Sequence, residues 1–162
     1  MNIHLRNVLL VYIIVVGSFF SLKGFSDSAP INAESPQHQE YLGLWQTIDD
    51  ETNEPRSLVL ISINNGQLSA KITRIFPATG ESDDPICEQC KGKLKDVKII
   101  GMDILSGMAF EENAWQGGEI LDPNNGKFYD AKIWLENEQL QVRGYIGFFF
   151  RTQQWHRYRD SE

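Results

Sequence analysis

The segment 115–147 constrains this chain more than any other, because it reads as three consecutive antiparallel strands joined by tight turns. Asp122-Pro123-Asn124-Asn125-Gly126 carries turn chemistry throughout: proline presets φ, and asparagine and glycine accept φ > 0 at the exit. Glu136-Asn137-Glu138 then separates two runs in which apolar residues alternate, Tyr129/Ala131/Ile133/Leu135 and Leu140/Val142/Gly144/Ile146. Each strand is therefore expected to bury one face and wet the other.

The same reading along the chain gives eight strands, at 44–48, 57–64, 67–76, 101–110, 114–121, 127–136, 139–146 and 152–159. Asn65-Gly66 between two β-rich runs is the strongest short hairpin signal among them. No amphipathic helix is long enough to cross over between parallel strands. Short strands with frequent turn signals mean an antiparallel sandwich or a closed barrel, and consecutive hairpins favour an eight-stranded up-and-down barrel.

The N-terminus points to export. Residues 1–7 carry Arg6 and no acid, 8–20 is apolar apart from Gly17 and Ser18, and small polar residues follow, which is the layout of a secretory signal peptide. Lys23 ends the run short of the roughly 20 apolar residues that a membrane span needs. We read 1–26 as a signal peptide cleaved near Gly24-Phe25-Ser26, leaving no stable membrane anchor, and 27–40, polar and holding two prolines, as a flexible segment. The remainder, 41–162, suits one domain with one core. Of 15 Lys and Arg, Arg6 and Lys23 leave with 1–26, so 13 remain against 22 acids, a charge of −9. Such an acidic surface argues against nucleic acid and anionic lipid as partners.

Several motifs together carry a resemblance. Gly43-Leu44-Trp45, Asp49-Asp50-Glu51-Thr52 through Pro55-Arg56-Ser57, Cys87-Glu88-Gln89-Cys90-Lys91-Gly92, Gly117-Gly118-x-Ile120-Leu121-Asp122-Pro123-x-x-Gly126-Lys127-x-Tyr129 and Val142-Arg143-Gly144-Tyr145-Ile146-Gly147 resemble the DUF2147 family of secreted bacterial proteins. The resemblance covers 41–159 and implies an eight-stranded, lipocalin-like (calycin) barrel with no catalytic residues to carry over. Asn53-Glu54 departs from the Gly-Lys usual after the Asp-Asp-Glu-Thr turn, a change the fold tolerates because asparagine also accepts the left-handed conformation. The acidic stretch Glu81/Asp83/Asp84 is longer than the family's. Gly43-x-Trp45 also resembles the lipocalin signature, which implies that Trp45 plugs the closed end of the barrel beneath an arginine of the last strand, here Arg157.

Cys87 and Cys90 are the only cysteines. Zinc would need two further ligands from a domain with His156 as its single histidine, and a thioredoxin-type pair belongs at a helix N-terminus, where Gly, Lys and Asp do not lead. A structural disulfide is favoured over both, although closing so short a loop contributes only about 2 kcal/mol. The surrounding segment 77–98 is too long for an ordinary hairpin loop and is either a solvated insertion or a lid over the barrel mouth. Its acids Glu81, Asp83, Asp84 and Glu88 precede Lys91, Lys93, Lys95 and Lys98, so its halves can pair across the cysteines.

Metal and enzyme signatures are missing. Asp122-x-Asn124-x-Gly126 lacks the glycine and glutamate that a calcium loop requires further on, and Asp49-Asp50-Glu51 before Pro55-Arg56 reads as a salt-bridged turn. No nucleophile elbow, zincin motif or phosphate loop is present, so neither enzyme activity nor a cofactor is expected. Inward parity instead collects Val59, Ile61, Ile63, Leu68, Ala70, Ile72, Phe76, Ile133 and Val142 into an apolar interior, wide enough in an eight-stranded barrel for one small ligand. Arg74 follows Ile72 on that parity; it either orients a carboxylate-bearing or acyl ligand at the mouth or bends away to solvent. The expected function is binding of a small apolar or amphipathic molecule in the periplasm or outside the cell. The alternative is a protein-interaction module that uses the acidic surface or aromatics such as Trp134 and Tyr145.

Overall fold

Three two-residue turns, Asn65-Gly66, Glu112-Asn113 and Asn137-Glu138, have positive φ at both residues. Paired left-handed residues twist a hairpin the way its strands already twist. Glutamate at two of these positions accepts a conformation that costs it roughly 1–2 kcal/mol, which the strand pairing on either side offsets.

The computed structural model describes residues 36–159; the expected signal peptide at 1–26 and the segment 27–35 lie outside them. Eight strands, β1 (Gly43–Ile48), β2 (Pro55–Asn64), β3 (Gln67–Ile75), β4 (Asp103–Glu111), β5 (Ala114–Asp122), β6 (Lys127–Glu136), β7 (Gln139–Ile146) and β8 (Phe149–Arg157), pair in sequence order as a closed antiparallel barrel. The seam between β1 and β8 is short: it registers Trp45 with Arg157 and Gln46 with His156. By contrast, β7 and β8 pair from Leu140↔Trp155 to Ile146↔Phe149. The last strand thus begins at Phe149, ahead of the expected 152, and carries the barrel wall up to the turn at 147–148. Among the described residues, no helix is long and apolar enough to cross a membrane.

The two ends of the barrel differ. At one, the turns at 65–66, 112–113 and 137–138 gather with the 310 helix Pro36–Tyr41. The described part of the segment expected to be flexible, 36–40, falls in this helix. The His38 ring centroid lies 4.2 Å from that of Phe110 and 5.0 Å from that of Trp115, and Tyr41 is buried. Three residues make one turn of a 310 helix, so His38 and Tyr41 share a face that polar composition alone conceals. Trp45, 0% exposed, fills the floor and donates its indole N–H to the Tyr41 carbonyl at 2.8 Å. The Arg157 guanidinium lies 4.1 Å from the Trp45 ring centroid and donates to the carbonyls of Leu42 and Glu40. Burial, then repulsion from Arg159, lowers the Arg157 pKa, yet an arginine keeps its charge at neutral pH. The other end carries the long connections and stays open.

Above the floor, Val59, Ile61, Leu68, Leu105, Met108, Trp115, Ile133, Leu140 and Trp155 form a buried core. Asn53 holds a φ of 59° in the β1–β2 turn, the conformation anticipated for it. Because Trp45 is fully enclosed, Trp45→Ala is expected to lower the unfolding free energy by about 3–5 kcal/mol in urea denaturation. A loss below about 1 kcal/mol would contradict its role as the plug.

Candidate functional site

The mouth of the barrel is built by the β1–β2 turn, the long β3–β4 loop, the β5–β6 turn and the β7–β8 turn. Beneath them lies a cavity of about 890 Å³. Its apolar walls include Ile72, Ile75, Ile104, Ile120, Val142 and Trp155, with the rings of Tyr129, Phe149 and Phe150 added nearer the mouth. Gly144 on β7 leaves room for the Tyr129 ring, whose Cβ would stand 3.3 Å from any Cβ at that glycine. The volume falls within the range of small-molecule pockets, roughly 300–1,000 Å³.

The polar groups lie toward the mouth. Thr47 and Ser57, both buried, share a hydrogen bond of 2.8 Å between their hydroxyl oxygens and line the wall. Arg56 pairs with Glu81, Nη2 donating to Oε1 at 3.0 Å. Arg151 pairs with Asp50, Nε donating to Oδ2 at 2.6 Å. The Asp49 carboxylate accepts from the backbone N–H groups of Glu51 and Thr52 and from the Thr52 hydroxyl. Those bonds, that of Thr52 foremost, hold its pKa below the ordinary carboxylate range, and the Arg56 hydrogen bond does the same for Glu81.

The long loop is tied to this end of the barrel. Cys87 and Cys90 form a disulfide with their Cα atoms 5.3 Å apart, and both residues are buried. The Cys87 sulfur touches the Pro123 carbonyl, and Gly126, at φ +66°, sits where any Cβ would collide with the Gln89 carbonyl. The loop therefore docks on the β5–β6 turn, and Pro85, Ile86, Glu88, Gln89 and Ile99 join the cavity wall. Ile86 bridges Lys98, and the Lys98 ammonium pairs with Asp84 across the cysteines.

Of the ligand-facing residues named from sequence, Ile72 lines the cavity, whereas Arg74 and Phe76 do not. The reason is a β-bulge. Val59 pairs with Ile72 but Leu58 pairs with Arg74, so Thr73 is an extra residue that reverses the parity beyond it. Ile75 consequently lines the cavity, while the exposed Arg74 places its guanidinium 5.7 Å from the Phe76 ring centroid. The cavity's guanidiniums are Arg56 and Arg151 instead. A signal for Arg151 was present: with Arg157 over Trp45, steps of two along β8 put Trp155, Gln153 and Arg151 on the inner face. Trp134 and Tyr145 lie outside, flanking a shallow groove with Arg143, whose guanidinium sits 4.9 Å from the Trp134 ring centroid and 4.3 Å from that of Phe150. Among the described residues, no three His, Cys, Asp or Glu gather as a metal site.

Comparisons agree with this architecture. A family model described as an uncharacterized protein conserved in bacteria, DUF2147, matches residues 43–157. A solved structure of protein HP1028 from Helicobacter pylori, described as belonging to the lipocalin family, is similar with a TM-score of 0.61 at 21% identity, covering 74% of this chain and 83% of that one. No curated protein sequence matches.

The depressed carboxyls set an acid limit on the rim. A group whose folded pKa lies below its unfolded one contributes stability above the unfolded value and loses it as pH falls through the folded one. The melting temperature is therefore expected to fall as pH drops below about 4. Asp49→Asn with Glu81→Gln should make that fall shallower, as read by thermal scans between about pH 2.5 and 7; an unchanged slope would show that these carboxyls do not set it.

Proposed function

Since the chain belongs to the DUF2147 family and closes into a lipocalin-like barrel, we propose that it is an exported, non-enzymatic protein that carries a small apolar or amphipathic molecule inside that barrel. The cavity carries this reading. It is apolar at its base, where Ile72, Val142 and Trp155 line it above the packed core, and polar toward its opening, so an apolar chain entering it leaves water while a polar end stays at the rim. Neither described histidine lines it, and the hydroxyls of Thr47 and Ser57 bond to each other. A buried disulfide between the only two cysteines suits the oxidising periplasm or the exterior of the cell.

A second reading, a protein-interaction module, draws on the β7–β8 turn. Ile146, Phe148, Phe149 and Phe150 are exposed there, Phe148 completely at 103%. Aromatic side chains grouped at a turn tip suit the centre of a protein contact.

Uptake of an uncharged fluorescent probe separates the two. Ile72→Trp is expected to fill the cavity and abolish uptake, at an overpacking cost of about 1–3 kcal/mol. Lys71→Trp, on the outer face where Lys71 pairs with Asp103, should leave uptake intact. A folded wild-type protein that takes up no probe would end the carrier reading in favour of the interaction module. For export, thiol labelling of denatured protein recovered from the periplasm or medium should find no free cysteine. Protein confined to the cytoplasm with both thiols reduced would contradict it.

A further inference from the structure

We infer that the cavity selects amphiphiles with a cationic polar end, an alkylammonium in the simplest case, over fatty-acid carboxylates. The inference rests on the carrier reading above and concerns the same cavity. The charges lining it are Asp49, Asp50, Glu81, Glu88 and Asp122 against Arg56 and Arg151, so five carboxylates face two guanidiniums for a formal −3. No lysine lines it.

Both guanidiniums are already engaged. Arg56 gives Nη1 and Nη2 to Glu81, and Arg151 gives Nε and Nη2 to Asp50, so the charge of each is already matched by an acid. A carboxylate headgroup that shares either guanidinium adds a second acid to a field that is already negative. An ammonium meets no such repulsion. Among the described residues Glu88 makes no side-chain ion pair, and the Asp122 carboxylate accepts hydrogen bonds only from the Asn124 backbone N–H and the Asn125 side-chain amide. Thr47 and Ser57, joined to each other by a single hydrogen bond, keep oxygen lone pairs free to accept from an N–H.

The aromatic lining points the same way. Tyr129, Phe149, Phe150 and Trp155 line the cavity; Arg143 stacks on Phe150, and among the described residues no arginine or lysine stacks on the other three. Their π faces attract a cation and give a carboxylate nothing in return. Arg74 and Arg157 stack on rings elsewhere, at Phe76 on the surface and Trp45 in the floor.

Three ligands with one chain length test the proposal: decyltrimethylammonium, decanol and decanoate, each displacing an uncharged fluorescent probe from the full mature protein at neutral pH and low salt. The cation is expected to bind tightest and decanoate weakest, with about tenfold between them, and the gap should narrow in 0.5 M salt as the rim is screened. Glu88→Lys, on the exposed side of the docked loop, should weaken the cation and improve decanoate while leaving decanol unchanged. If decanol displaces the probe but decanoate binds as well as the cation, the charge preference is wrong and the carrier reading stands. If none of the three displaces the probe, or the probe itself does not bind, the cavity reading fails with it.

Discussion

The stack of Arg157 on Trp45 is the contact on which the rest of this barrel depends. It joins the first strand to the last, covers the floor, and ties the entering chain to both through the carbonyls of Glu40 and Leu42. A sheet of eight strands has two edges until something closes it, and unpaired edges invite association with other chains. Here closure is concentrated at one level. Because that level lies at the closed end, the opposite end is free to carry long loops without exposing the core.

That division explains the distribution of chemistry. Alternate connections fall at opposite ends of an up-and-down barrel, so the floor has only two-residue turns while the mouth receives every longer connection along with the β7–β8 turn. The mouth then collects whatever those connections bring: the acids of the β1–β2 turn, the disulfide-pinned loop, Asp122 and the phenylalanines of the β7–β8 turn. The disulfide acts locally, since it holds one loop against the Pro123–Gly126 turn and leaves the strand ladder to hold the fold.

Most of the barrel was legible in the sequence because period-two alternation and turn chemistry are local signals. Asn65-Gly66 and the 122–126 turn announced their hairpins, and each of the eight strands formed near its expected place. The resemblance carried by Gly43-x-Trp45 paired that tryptophan with Arg157, and the two meet. What failed to show was anything that breaks the local rule. Thr73 is one unpaired residue with no composition signal, yet it turns Arg74 outward and Ile75 inward. The polar stretch before Tyr41 concealed a short 310 helix whose His38 ring completes an aromatic cluster with Phe110 and Trp115. Ion pairs such as Arg151 with Asp50, 101 residues apart, exist only once the barrel has closed.

The brevity of the β1–β8 ladder has a dynamic consequence. Beyond Gln46 and His156, toward the mouth, the two strands share no registered pairs, and the exposed ion pair of Asp50 with Arg151 spans the gap between them. An exposed pair of this kind contributes at most about 1 kcal/mol, so thermal motion breaks it often. The wall can then part along a single line from the rim downward while the other seven ladders and the floor stay intact. Backbone amides along that line are thus expected to exchange with solvent through local fraying, without unfolding of the whole barrel.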